Sequence, residues 1–133
     1  MGLDNGICVE RNDFTNSLFE LEKFKYEYAP RRYFEICYWR KCWNIRDAIG
    51  RKIWYEDNGY SNELTEADLY NIIEALESFN EEKWNEDFEN GETIWEWDII
   101  EQRLAQQIQD LKLLIDLKKK YENKLYIYFY DSY

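Results

Sequence analysis

Two groups of side chains in this sequence are of types that do chemistry. The first surrounds the stretch YWRKCWNIRD at 38–47. There Arg31, Arg32, Arg40, Lys41, Arg46, Arg51 and Lys52 interleave with Tyr33, Tyr38, Trp39, Trp43 and Trp54. Guanidinium groups clasp phosphates through paired N–H donors, and indole faces stack on bases and attract cations. On this reading Arg31, Arg32, Trp39, Arg40, Lys41, Trp43 and Arg46 hold a phosphorylated nucleotide, and the protein is a sponge for such a signal. The competing reading makes the stretch a strand-to-helix junction, with its rings in the core and its cations balanced by the protein's own acids.

The second group is acidic. Between Glu56 and Glu101 there are 16 carboxylates and one base, Lys83, whereas the chain as a whole has a net charge of −11. The flanks are therefore weakly basic. An ordinary solvated helix face mixes signs and gains from i,i+4 pairs, whereas a single-signed belt repels itself. Such a belt steers a basic partner, for example the nucleic-acid-binding groove of a DNA- or RNA-handling protein. Glu81, Glu82, Glu86, Asp87, Glu89, Glu92 and Glu96 supply the charge, with Trp84 and Phe88 as apolar anchors. The competing reading is solubilising charge on helix surfaces. Nucleic acid itself is not an expected partner, because its binding relies on cations that displace counterions.

Catalysis finds little support. The chain has no histidine, and its 5 glycines are not spaced as a phosphate-binding loop. Cys8, Cys37 and Cys42 lack the paired spacing of a zinc site and read as buried, reduced thiols. No metal, cofactor or enzymatic activity is expected. Nothing in MGLDNGICVE reads as a signal peptide, and no apolar run approaches the ~18 residues of a membrane span, so a cytoplasmic protein is expected.

The elements that must position these groups follow from local pattern. GICVE (6–10) and YFEICYW (33–39) are β-prone, and LYIYFYDSY (125–133) reads as a C-terminal strand with aromatic residues on both faces. Residues 14–29 fit a strand pair or a helical turn equally. After Trp39 the period becomes helical through Cys42, Ile45, Ile49 and Ile53, with Asn44 as N-cap, until the turn-like EDNGYSN. Thr65 and Asp68 form a capping box for a helix that continues through Trp84 and Phe88 to Asn90. Thr93 and Glu96 form another, ahead of a long helix over about 93–122 whose stripe is Trp97, Ile100, Leu104, Ile108, Leu111 and Ile115. About 28 residues span ~42 Å. A globule of this size is only ~36 Å across, so that helix must protrude, wrap the domain or pair with a second copy as a homodimer or larger assembly.

The start MGLDNGI, the block CYWRKCWNIRD and the end YFYDSY together resemble a group of small phage and prophage proteins of Gram-positive bacteria. The group has no assigned activity, so no functional residue transfers. What the resemblance implies is context: a protein made in the cytosol of a bacterial host. Small acidic phage proteins without enzymatic motifs are similar in character to anti-defence inhibitors, including anti-CRISPR proteins that act as DNA mimics in a nuclease groove. Together these readings predict a single α+β domain over 1–133, with a small, mostly antiparallel three-stranded sheet (6–10, 33–39, 125–130) covered by three helices. They also predict a stoichiometric inhibitor that presents its acidic surface to a basic groove on a host protein.

Overall fold

The computed structural model describes residues 3–11, 33–40, 42–55, 59, 62–89, 96–120 and 125–133. The three expected strands form at slightly greater length: β1 (Asp4–Arg11), β2 (Tyr33–Arg40) and a C-terminal strand, Leu125–Ser132. A fourth strand corrects the three-stranded expectation. Asn62–Glu63, which starts on the last residue of the stretch read as a turn, pairs antiparallel with Phe129 and Tyr128, so it is β3 and the C-terminal strand is β4. The sheet order is β2-β1-β4-β3, and every pairing is antiparallel. β4 is thus an interior strand, paired along both edges. The Asn62 side-chain amide donates to the Phe129 carbonyl at 3.1 Å, and the Leu64 N–H to that of Ile127 at 2.8 Å, extending the contact beyond the two paired residues.

Register sorts the side chains. Ile7 lies opposite Phe129 and Cys37, Val9 opposite Ile127, and Asn5 opposite Asp131 and Trp39; this face meets the helices. The other face carries Tyr38, Tyr126, Tyr128 and Tyr130, all half-buried. Tyr130 donates to Glu35 at 2.7 Å and Tyr38 to Asp4 at 2.7 Å. Burial, and then the bond to Asp4, raise the Tyr38 phenol above its ordinary pKa. Gly6 sits between Tyr38 and Tyr130 because nothing larger fits. A Cβ there would collide with the Cys37 carbonyl and come within 2.9 Å of the Tyr130 ring.

Four helices, rather than three, are present among the described residues. The first, α1 (Trp43–Gly50), is shorter than its periodicity suggested, and Ile45 and Ile49 are its buried positions. Asn44 is not its N-cap; its amide reaches across to donate to the Lys83 carbonyl at 2.6 Å. The capping box at α2 (Glu66–Glu77) forms as read: Thr65 Oγ accepts from the Asp68 N–H at 3.1 Å, and Asp68 accepts from the Thr65 N–H at 3.0 Å. The helix then breaks at Ser78–Asn80, and a separate α3 (Glu81–Glu89) begins. Asn80 explains the break, because its side-chain oxygen accepts from the Lys83 N–H at 3.0 Å and so caps a new N-terminus. The last helix, α4, runs Trp97–Lys120. Its 24 residues span ~36 Å. That matches the expected diameter of the domain, so the length argument for protrusion falls away. Thr93, its expected cap, lies outside the described residues.

One apolar cluster joins these layers, from Ile7, Val9, Ile127 and Phe129 on the sheet to Ile45, Leu69, Leu76, Leu104, Leu111 and Ile115 on the helices. Cys8, Cys37 and Cys42 are all buried free thiols. Among the described residues no helix is long and apolar enough to cross a membrane.

The break between α2 and α3 gives a test whose sign is diagnostic. Asn80→Ala removes a cap and should cost about 1 kcal/mol in urea unfolding. Within a continuous helix the same change would stabilise the protein, since alanine is the better helix former.

Candidate functional site

The Arg/Trp stretch lies where β2 hands over to α1, and most of its chemistry is turned inward. Trp39 is 1% exposed, and its indole N–H donates to Gln107 Oε1 at 3.1 Å, joining β2 to α4. Arg46 reaches from α1 to β4. Its Nε donates to Asp131 Oδ1 at 2.8 Å and its second nitrogen to Oδ2 at 2.9 Å, a bidentate pair. The Asp131 side chain is fully buried and that of Arg46 is 13% exposed. Three rings surround the guanidinium, with centroids at 5.3 Å (Trp43), 5.6 Å (Tyr55) and 5.1 Å (Tyr133). Trp43 and Tyr133 meet edge to face at 5.3 Å. Each ring presents its negative face to a cation that has little water left around it.

Arg40, by contrast, is exposed and lies 3.4 Å from Asp4. Lys52 pairs with Glu74 at 3.0 Å. Arg31, Arg32 and Lys41 lie outside the described residues. The nucleotide constellation is therefore not gathered on one surface: Trp39 and Arg46 are committed to the core, and Arg40 points to the sheet's other face. The partners of these cations differ from those expected. Arg46 and Arg40 are balanced by Asp131 and Asp4, near the two ends of the chain, and among the described cations of this group only Lys52 pairs within the acidic middle. Asn5, in register with Asp131, has both side-chain amide atoms buried and makes no hydrogen bond among the described residues.

The acidic middle behaves differently. Glu81 and Glu82 open α3, and Glu96 and Asp98 stand at the start of α4; all four are exposed. Trp84 is not a surface anchor, being 0% exposed and packed edge to face on Phe79 at 6.5 Å. Phe79 in turn lies against Trp97, centroids 6.1 Å apart. A cleft of about 360 Å³ opens in front of this aromatic wall, lined by Glu81, Trp84, Asn85, Glu96, Trp97 and Asp98. Three exposed carboxylates thus stand around the one accessible indole, Trp97, a lining suited to a cationic side chain. Glu92 and the side chains of Glu86, Asp87, Phe88 and Glu89 lie outside the described part of the structure. Among the described residues, no group of three or more acids, cysteines or histidines is placed to hold a metal ion.

No protein-family model, curated protein or solved structure matches this chain.

Sequence reasoning did not single out Asp98 or Trp97 as site residues, although a tryptophan flanked by Glu96 and Asp98 at a helix start was the available signal. It also missed Asp131, Tyr133 and Gln107, whose roles depend on contacts from distant parts of the chain. Trp39→Phe removes the indole donor and part of the buried ring volume, leaving Gln107 unpaired beside a cavity, so it should cost at least about 1–3 kcal/mol in urea unfolding. Combining it with Gln107→Leu should recover the part of that loss due to the unpaired amide and leave the part due to the lost ring volume.

Proposed function

We propose that the protein is a stoichiometric binding protein rather than a catalyst, and that its working face is the acidic end formed by α3 and the start of α4. The observation that carries this reading is the cleft in which Glu81, Glu96 and Asp98 stand around the half-buried Trp97, with the buried Trp84 behind it. A lysine or arginine entering it would meet carboxylates at the rim and aromatic faces behind them. An arginine would gain more, because its planar fork can pair with a carboxylate while it stacks on indole.

The surrounding charge extends the same logic. Carboxylates from Glu56 to Glu101 outnumber bases 16 to one, and a field of that sign raises the encounter rate with a positive surface. Basic grooves that bind nucleic acid are such surfaces. The partner class is therefore a host protein that handles DNA or RNA, whose groove the acidic face would occupy in place of phosphates. The likeness to small phage proteins supports a bacterial cytosolic setting and an anti-defence role of the anti-CRISPR kind.

Immobilised protein exposed to bacterial lysate should retain a basic nucleic-acid-binding protein at low salt and release it as the Debye length falls from ~10 Å to ~3 Å at 1 M salt. The triple variant Glu81→Gln, Glu96→Gln, Asp98→Asn should lose that partner and stay folded, with only the small fall in melting temperature expected from neutralising exposed carboxylates at the starts of α3 and α4. A retained partner that is indifferent both to salt and to the triple variant would contradict the proposal.

A further inference from the structure

Beyond the acidic face, a second cleft lies beside the C-terminal end of α1. It measures about 460 Å³ and is lined by Arg46, Asp47, Gly50, Arg51, Trp54 and Tyr55, among others. Trp54 is 85% exposed, whereas Trp39 and Trp84 are at most 1% exposed. An indole left in water on the wall of a concavity offers a flat face for stacking. Arg51 is exposed and forms no ion pair among the described residues, unlike Arg46, Arg40, Lys52 and Lys119.

The back of the cleft is rigid. Tyr55 leans on Gly50, where an added Cβ would lie 3.2 Å from the ring, and its ring also meets Phe129 edge to face at 4.8 Å. The carbonyls of Asp47 and Ile49 near the end of α1 accept bonds from the N–H groups of Arg51, Lys52 and Ile53. The helix end is therefore capped by its own chain, and Arg51 is the exposed cation that shares the cleft lining with Trp54. The cleft is shallow, and Trp54 stands at its open rim with most of its indole in water.

From these features we infer that the cleft binds a planar, anionic ring compound of the mononucleotide class. The ring stacks on Trp54 and the anionic group pairs with Arg51. The volume falls within the several hundred Å³ usual for small-molecule sites. Asp47 stands on the same wall, with a carboxylate 3.9 Å from Arg46. It opposes the anion and sets a ceiling on affinity.

Isothermal titration calorimetry with AMP tests this. AMP should bind with a submillimolar Kd, and adenosine or inorganic phosphate alone should bind at least about tenfold more weakly. Arg51→Ala and Trp54→Ala should each weaken AMP binding about tenfold or more, and Asp47→Asn should strengthen it. These side chains are exposed, so the variants should melt with the wild type. No AMP binding at millimolar concentration, or AMP binding unchanged in both Arg51→Ala and Trp54→Ala, would overturn the inference. Adenosine binding as tightly as AMP would overturn the assignment of Arg51 to the anion.

Discussion

Asp131 has no exposed side-chain surface, and a bare carboxylate in that position would carry a large desolvation penalty. Arg46 makes it tolerable by meeting both oxygens at once, and three aromatic rings hold Arg46 in turn. Much else in the fold depends on this pair. β4 alternates Leu125, Ile127 and Phe129 with Tyr126, Tyr128 and Tyr130, so its hydrophobic pattern barely distinguishes one face from the other. A slip of one residue would exchange the faces and carry Asp131 away from its partner. The ion pair thus marks the register that the apolar residues leave poorly specified, and it ties the last strand of the sheet to the first helix.

The same pair decides how the charges are used. A cation facing solvent beside tryptophan is a ligand group; the same cation facing a buried carboxylate is part of the scaffold. Arg46 belongs to the scaffold, and so does Trp39 through Gln107. With those groups turned inward, the acidic helices keep the larger share of uncompensated surface charge. Basic residues near Asp4 and Asp131 are neutralised by the chain ends, whereas Glu81, Glu96 and Asp98 remain in water around an aromatic wall.

Much of this was legible in the sequence, for physical reasons that differ by element. β2 and β4 are long and dense in branched and aromatic residues, β1 carries the β-prone core GICVE, and the stripe of α4 repeats over many turns, so local pattern suffices. The Thr65–Asp68 box is a purely local device and forms as read. What escaped is short or non-local. β3 has two paired residues, too few for any period, and its stability comes from β4. The break at Asn80 was hidden because Phe79, Trp84 and Phe88 keep near-helical spacing across it. Trp84 looked like an anchor among acids, yet on a short amphipathic helix the same spacing serves the core, where the structure places it. Asp131 could not be recognised at all, since its partner lies 85 residues away.

The most direct test of this account is a double-mutant cycle on the ion pair, read by urea unfolding, with Arg46→Met, Asp131→Leu and the two combined. Each single change strands a buried charge and should cost about 3–5 kcal/mol, while the combined change should cost less than either alone. That outcome would establish Arg46 as half of a buried lock. Additive costs would show that the two residues act independently, and the argument that the pair sets the register of β4 and withdraws Arg46 from ligand chemistry would fail.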